Sequence, residues 1–157
     1  MSYVKAIYFD LSLCCDDFVK GIESLEQCLV EDSVVHFKNA CNSVSVRDQL
    51  FAKYKSYYGL SSLLSGDASG IAVCRNLLQT CPLDADVHLN LARAEMFMAN
   101  RKAALKVVEQ GLVFAAQHPG LNDFKNRLGV RGVRFVPFLP RNNYVNVALG
   151  KLLRRKK

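Results

Sequence analysis

Long apolar runs are missing from this chain. No window holds eighteen consecutive apolar residues, the length that a membrane-crossing helix requires. The start, MSYVKAIYFDLSLCCDD, has one lysine and a short apolar run cut by Asp10, with no small-residue cleavage pattern behind it, so it does not read as an export signal. No Cys-x-x-Cys pair occurs, and His36, His88 and His118 lie far apart with no Cys or His at ligand spacing, which leaves a structural metal site without support. Six cysteines without an export signal or a regular framework spacing are expected to be reduced thiols, with Cys28, Cys41 and Cys74 as small core side chains. The expectation is a cytoplasmic protein that carries no metal and no other cofactor.

Catalytic sets are missing as well: there is no Ser-His-Asp arrangement and no phosphate loop. Ala6 to Leu13, AIYFDLSL, looks like the strand and aspartate motif of haloacid-dehalogenase-like phosphatases. Ser12 stands where that chemistry needs a second aspartate, however, and no alternating strand and helix pattern builds the parallel sheet it requires. GVRGVRF holds two glycines and follows no strand, so it is not a dinucleotide fingerprint. The expected function is therefore non-enzymatic.

What is present is a globular composition. With 157 residues, half of them apolar and 22% charged, the chain fits one ordinary domain with a sizeable core. Charge is polarised along it. Residues 1–32 hold seven acids against Lys5 and Lys20, whereas residues 120–157 hold ten bases against Asp123 alone.

Apolar residues recur at helical steps almost throughout. Phe18, Ile22, Leu25, Cys28 and Leu29 mark a helix over Asp16 to Val30, with Asp16 and Asp17 at its start. Val34, Phe37, Ala40 and Cys41 mark a second, shorter one, and NSVS a turn with a new cap. From Val46, Leu50, Tyr54, Tyr57, Leu60 and Leu64 form a third, whose Gly59 and Ser61 leave room for a close neighbour. SGDASG breaks it, and IAVCRNLLQTC then runs to Pro82, which disfavours helical dihedrals just before it. Ala85 to Leu112 reads as two helices hinged at ANRK, and a short helix follows QHPG. Matching the two turns, Gly66 and Asp67 against Ala99 and Asn100, gives an offset of 33, and matching Leu77 and Leu78 against Gly111 and Leu112 gives 34, an internal period of about 34. Helix pairs this short cannot enclose a core alone, so each must stack on the next.

These residues resemble the tetratricopeptide repeat. In the unit over residues 85–119, Leu91 and Ala92 fall at the family's Leu-Gly pair, Ala99 and Asn100 at the turn, and Ala104, Val108 and Gly111 at the small, large and small positions of the second helix. Tyr54, Gly59, Gly66, Gly70, Cys74 and Leu77 match in the unit over 51–84. The proline that usually closes a unit arrives late, at Pro119, which predicts a second helix about one turn longer. The resemblance implies an all-α fold, a TPR-like α-α superhelix built as a solenoid of antiparallel helix pairs, with a C-terminal capping helix over 120–128. The expected division is an N-terminal segment over 1–15, a helical domain over 16–128 and a basic tail over 129–157.

The first helix of each pair lines the concave groove in this family, which points to Lys53, Ser56, Tyr57, Leu60 and Leu63 in one unit and Asp86, Leu89, Asn90, Arg93, Met96 and Phe97 in the next. Tyr57 and Phe97 could anchor a protein or peptide segment, with Lys53, Asn90 and Arg93 as polar contacts. The competing reading makes Leu60, Leu63, Met96 and Phe97 helix-packing residues. The spacing of Asn90 and Arg93 does not reproduce the family's clamp for C-terminal carboxylates. In the tail, Arg141, Lys151, Arg154, Arg155, Lys156 and Lys157 are interleaved with apolar residues, a pattern suited to nucleic acid, an anionic membrane or an acidic partner, including the acidic segment of this chain or of a second copy. The expectation is a non-catalytic adaptor or scaffold with a protein partner, with a tail-driven surface binder and a homo-oligomeric module as rivals.

Overall fold

The computed structural model describes residues 11–128. They form a 3-10 turn at Leu11–Leu13 and seven α-helices: α1 (Asp16–Glu26), α2 (Val30–Ser43), α3 (Gln49–Leu64), α4 (Ser69–Thr80), α5 (Ala85–Phe97), α6 (Arg101–Phe114) and α7 (Pro119–Leu128). No strand occurs among the described residues, so the fold there is all-α. No helix among them is long and apolar enough to cross a membrane. Each helix packs on the next in chain order, and α3 also packs on α5 and α5 on α7.

Two kinds of helix build this arrangement. α1, α4 and α6 each bury one stripe: Phe18, Gly21, Ile22 and Leu25; Gly70, Ile71, Cys74 and Leu77; Ala104, Val107, Val108 and Gly111. Steps of three and four residues place each set on a single face, leaving the opposite face to solvent. α3 and α5 are covered on most of their circumference, and α5 is buried without a break from Asp86 to Glu95. The apolar interior has two main bodies. Phe18, Phe37, Tyr54 and Tyr57 centre the first, with Phe18 stacked on Tyr54 at 4.5 Å and edge-on to Tyr57 at 5.2 Å. Leu60, Leu89, Leu91, Ala92, Ala104, Val108 and Leu121 belong to the second. α3 contributes to both, so it joins them.

Three hairpin turns share one closing geometry. Cys28, Gly66 and Ala99 have φ of 62°, 100° and 58°, and the amide one residue further on reaches back five positions: Leu29 to Ser24, Asp67 to Ser62 and Asn100 to Glu95, at 2.8, 2.9 and 2.8 Å. This is the left-handed C-cap that satisfies the last helical carbonyls. Three helix starts are capped by side chains, from Asp48 to Leu50 N–H, Asp84 to Asp86 and Val87 N–H, and Asn100 to Ala103 N–H. Between α3 and α4 the backbones nearly touch. A Cβ at Gly70 would lie 2.4 Å from the Gly59 carbonyl oxygen and 2.5 Å from the Leu63 nitrogen, both rigid backbone atoms.

Several boundaries depart from the periodicity. α1 stops at Glu26 and Cys28 is an exposed turn residue instead of a core side chain, because the chain reverses there in a left-handed conformation. Cys15 occupies the N-cap of α1, and Asp16 and Asp17 fill its first turn. α2 is longer than α1, not shorter. α3 begins at Gln49, where Asp48 caps it, so Val46 lies outside. α6 ends at Phe114 without the extra turn, and Pro119 opens α7 at the first helical position, where its missing N–H costs nothing.

Ala99→Gly is expected to stabilise the protein by about 0.5–1 kcal/mol by releasing the left-handed alanine. Gly70→Ala is expected to destabilise it by about 2 kcal/mol or more, since the α3–α4 backbones must part. Thermal melts of the two variants beside the parent read both signs.

Candidate functional site

The candidate face is the seam between α3 and α5, and residues about 33 and 34 apart meet across it. Lys53 Nζ lies 3.1 Å from Asp86 Oδ2. One turn on, the Asn90 amide Nδ2 donates to Ser56 Oγ at 2.9 Å while its Oδ1 accepts from Arg93 at 3.0 Å. Ser56 in turn donates to the Lys53 carbonyl at 2.7 Å. Helical spacing on both sides makes this ladder possible, since i and i+3 or i+4 fall on one face of each helix. Tyr57 closes the ladder against the aromatic cluster. Burial pushes its phenol up to about 12, against the opposing pull of the Arg93 charge.

Of the residues expected to line a groove, Ser56, Tyr57, Leu60, Leu63, Asp86, Leu89, Asn90 and Arg93 are buried, and Lys53 and Met96 are half-buried. Phe97, at 42% exposure, is open, and Met98 beside it is 50% exposed. The seam therefore combines a covered polar interior with an accessible apolar end at the C-terminus of α5. Leu60, Leu63 and Leu89 belong to the second apolar cluster, and Met96 packs against it. The Arg93 Nε is buried with no acceptor. Arg141, Lys151, Arg154, Arg155, Lys156 and Lys157 lie outside the described residues.

His118, which the periodicity did not mark as part of this face, comes into it from the turn before α7. Its Nδ1 accepts from the Leu121 N–H at 3.2 Å, which puts the proton of the neutral ring on Nε2, 3.8 Å from Asp86 Oδ1. Burial lowers the His118 pKa although Asp86 pulls the other way, so at neutral pH this is a contact between a neutral imidazole and a carboxylate. Asp84 lies nearby as the α5 cap, its carboxyl raised by burial. The signal for His118 is its place just before Pro119, the position from which a side chain can cap a helix. On the outer side, Glu95 is held by Arg75 at 2.8 Å and by Asn100 at 3.0 Å, tying α4 and the α5–α6 turn to α5. Among the described residues no group of three or more His, Cys, Asp or Glu side chains is placed to hold a metal ion.

No protein-family model matches this chain, and no curated protein matches its sequence. The seam presents fixed hydrogen-bond donors, the buried Arg93 guanidinium and a rim of exposed Phe97 and Met98.

Asn90→Ala is expected to cost about 2 kcal/mol or more, because it strips the Arg93 guanidinium of its buried acceptor, whereas Phe97→Ala stays within about 0.5 kcal/mol; denaturant midpoints of the pair decide this. A second expectation concerns pH. The native His118 pKa lies below its ordinary 6.5, so the unfolded chain binds more protons as pH falls through that value, and stability is full above 6.5 and lost below it. His118→Gln should flatten the stability difference between pH 7.5 and pH 5.

Proposed function

We propose that this protein is a non-catalytic adaptor, a tetratricopeptide-like superhelix of helix pairs that receives a protein or peptide segment along the α3–α5 face. The observation that carries the proposal is the ladder itself, in which Lys53 meets Asp86 and Ser56 meets Asn90 at separations close to the internal period of about 34. Corresponding positions of successive units then stand side by side on one face, the geometry from which solenoids make extended binding surfaces. Two further features support it. The close α3–α4 crossing at Gly59 and Gly70 and the fully buried Ala92 and Ala104 occupy the small positions that the resemblance assigns. Phe97 and Met98 supply an accessible apolar anchor at the end of a polar, oriented track, the combination that gives recognition both affinity and register.

In this reading an incoming segment first contacts the Phe97–Met98 rim and then extends toward Arg93 and Asp86. The buried Arg93 Nε favours an acceptor, a carbonyl or a carboxylate, on that segment.

Quantitative capture from native lysate by the parent and by Phe97→Glu, with circular dichroism showing both equally helical, tests the proposal. The expected result is a protein retained by the parent and reduced at least about tenfold by the variant, a loss of about 1.4 kcal/mol in binding. Equal capture by both, or recovery of nucleic acid or lipid alone with steep salt dependence, rejects the α3–α5 face as the binding surface.

A further inference from the structure

The outer face of α6 carries a second surface, apart from the α3–α5 seam. Asn100, Lys102, Ala103, Leu105, Lys106 and Glu109 line an open groove there. Leu105 is 37% exposed and Ala103 is half-buried, so the floor of the groove is apolar. Lys102 and Lys106 are exposed and stand one helical turn apart, where their aliphatic stems extend the apolar wall while their ammonium groups reach water. Neither lysine enters an ion pair among the described residues. The groove is an apolar seat beside two cations, with Glu109 as the one carboxylate in its lining.

The complementary features meet at the α1–α2 turn. Cys28, with φ of 62°, reverses the chain between α1 and α2, so Leu29 stands at the tip of a helical hairpin. Leu29 is 48% exposed, and Gln27 and Cys28 before it are exposed as well. Glu26, Glu31 and Asp32 flank Leu29, all three exposed and none in an ion pair among the described residues. No lysine or arginine occurs between Lys20 and Lys38, so nothing local in the sequence neutralises them. The tip is an apolar side chain among three carboxylates.

We propose that the α1–α2 tip of one molecule docks in the α6 groove of a second copy of this chain, with Leu29 against Ala103 and Leu105 and with Glu26, Glu31 and Asp32 facing Lys102 and Lys106. Charge chooses this occupant. The same chain supplies an acidic apolar tip and a basic apolar groove, and their contact withdraws apolar surface from water on both sides while opposite charges meet around it. Within one molecule α3 and α5 stand between the two surfaces, since packing runs from α2 through α3 and α5 to α6. Tip and groove are different surfaces, so the contact is head-to-tail, and the assembly grows as a chain unless its rotation closes a ring. One tip in one groove is a small interface, which makes the assembly weak and dependent on concentration and salt. Neither surface belongs to the α3–α5 seam, so this inference stands apart from the adaptor reading.

Sedimentation velocity of the full-length protein from about 1 μM to about 1 mM, the range of transient contacts, tests the proposal. The parent is expected to gain mass with concentration at low salt. Lys102→Glu with Lys106→Glu, and separately Glu31→Lys with Asp32→Lys, should each weaken self-association at least about tenfold, because like charges then meet. Mixing the two double variants should restore association, since the reversed groove and the reversed tip are again opposite in sign. All four positions are exposed, and circular dichroism checks that the helices persist. A covalent readout is independent of the reversals: Ala103→Cys, oxidised with glutathione disulfide, should link to the exposed Cys28 of another copy and lose that link in a Cys28→Ser background. A parent that stays monomeric throughout overturns the proposal. So does association indifferent to either reversal, a mixture that fails to associate, or a cross-link that persists without Cys28.

Discussion

The amide of Asn90 holds two helix pairs in register, and much of the molecule depends on that contact. It donates to Ser56 on α3 and accepts from Arg93 one turn along α5, inside a face where neither group reaches water. An apolar residue there would allow α3 and α5 to slide past each other at little cost, since dispersion is not directional. A buried amide allows one alignment, because any shift leaves its donors and acceptor unmet in a low-dielectric interior. The Lys53–Asp86 pair repeats the constraint a turn away.

Around that register the packing follows from side-chain size. Gly59 and Gly70 bring α3 and α4 into backbone contact, while Gly111 admits Leu121 and His88 to α6. His88 reaches the Pro82 and Val107 carbonyls at 2.9 and 3.1 Å, linking the loop before α5 to α6. Small residues where helices cross and large ones between crossings produce two apolar bodies that meet at α3. No pair of helices encloses either body alone, so the stability of each pair is borrowed from its neighbour.

The α3–α5 seam is polar and buried, and the exposed side chains of Phe97 and Met98 border its end.

Much of the architecture was legible in the residues. Steps of three and four apolar positions located all seven helices, and Pro82 separated α4 from α5. Helix ends were less legible, as with Cys28, because a left-handed cap at a residue other than glycine leaves no compositional mark. Periodicity does not say how deeply α5 is enclosed, because burial depends on elements distant in sequence. His118 enters the face from a turn 32 residues after Asp86, through three-dimensional packing that no local pattern encodes. The sequence by itself determined the helices, their order and their small-residue crossings, since these depend on local propensity and spacing. Only the tertiary structure decided that Ser56, Asn90 and Arg93 form one buried network, because hydrogen bonds across a seam require the seam to exist first.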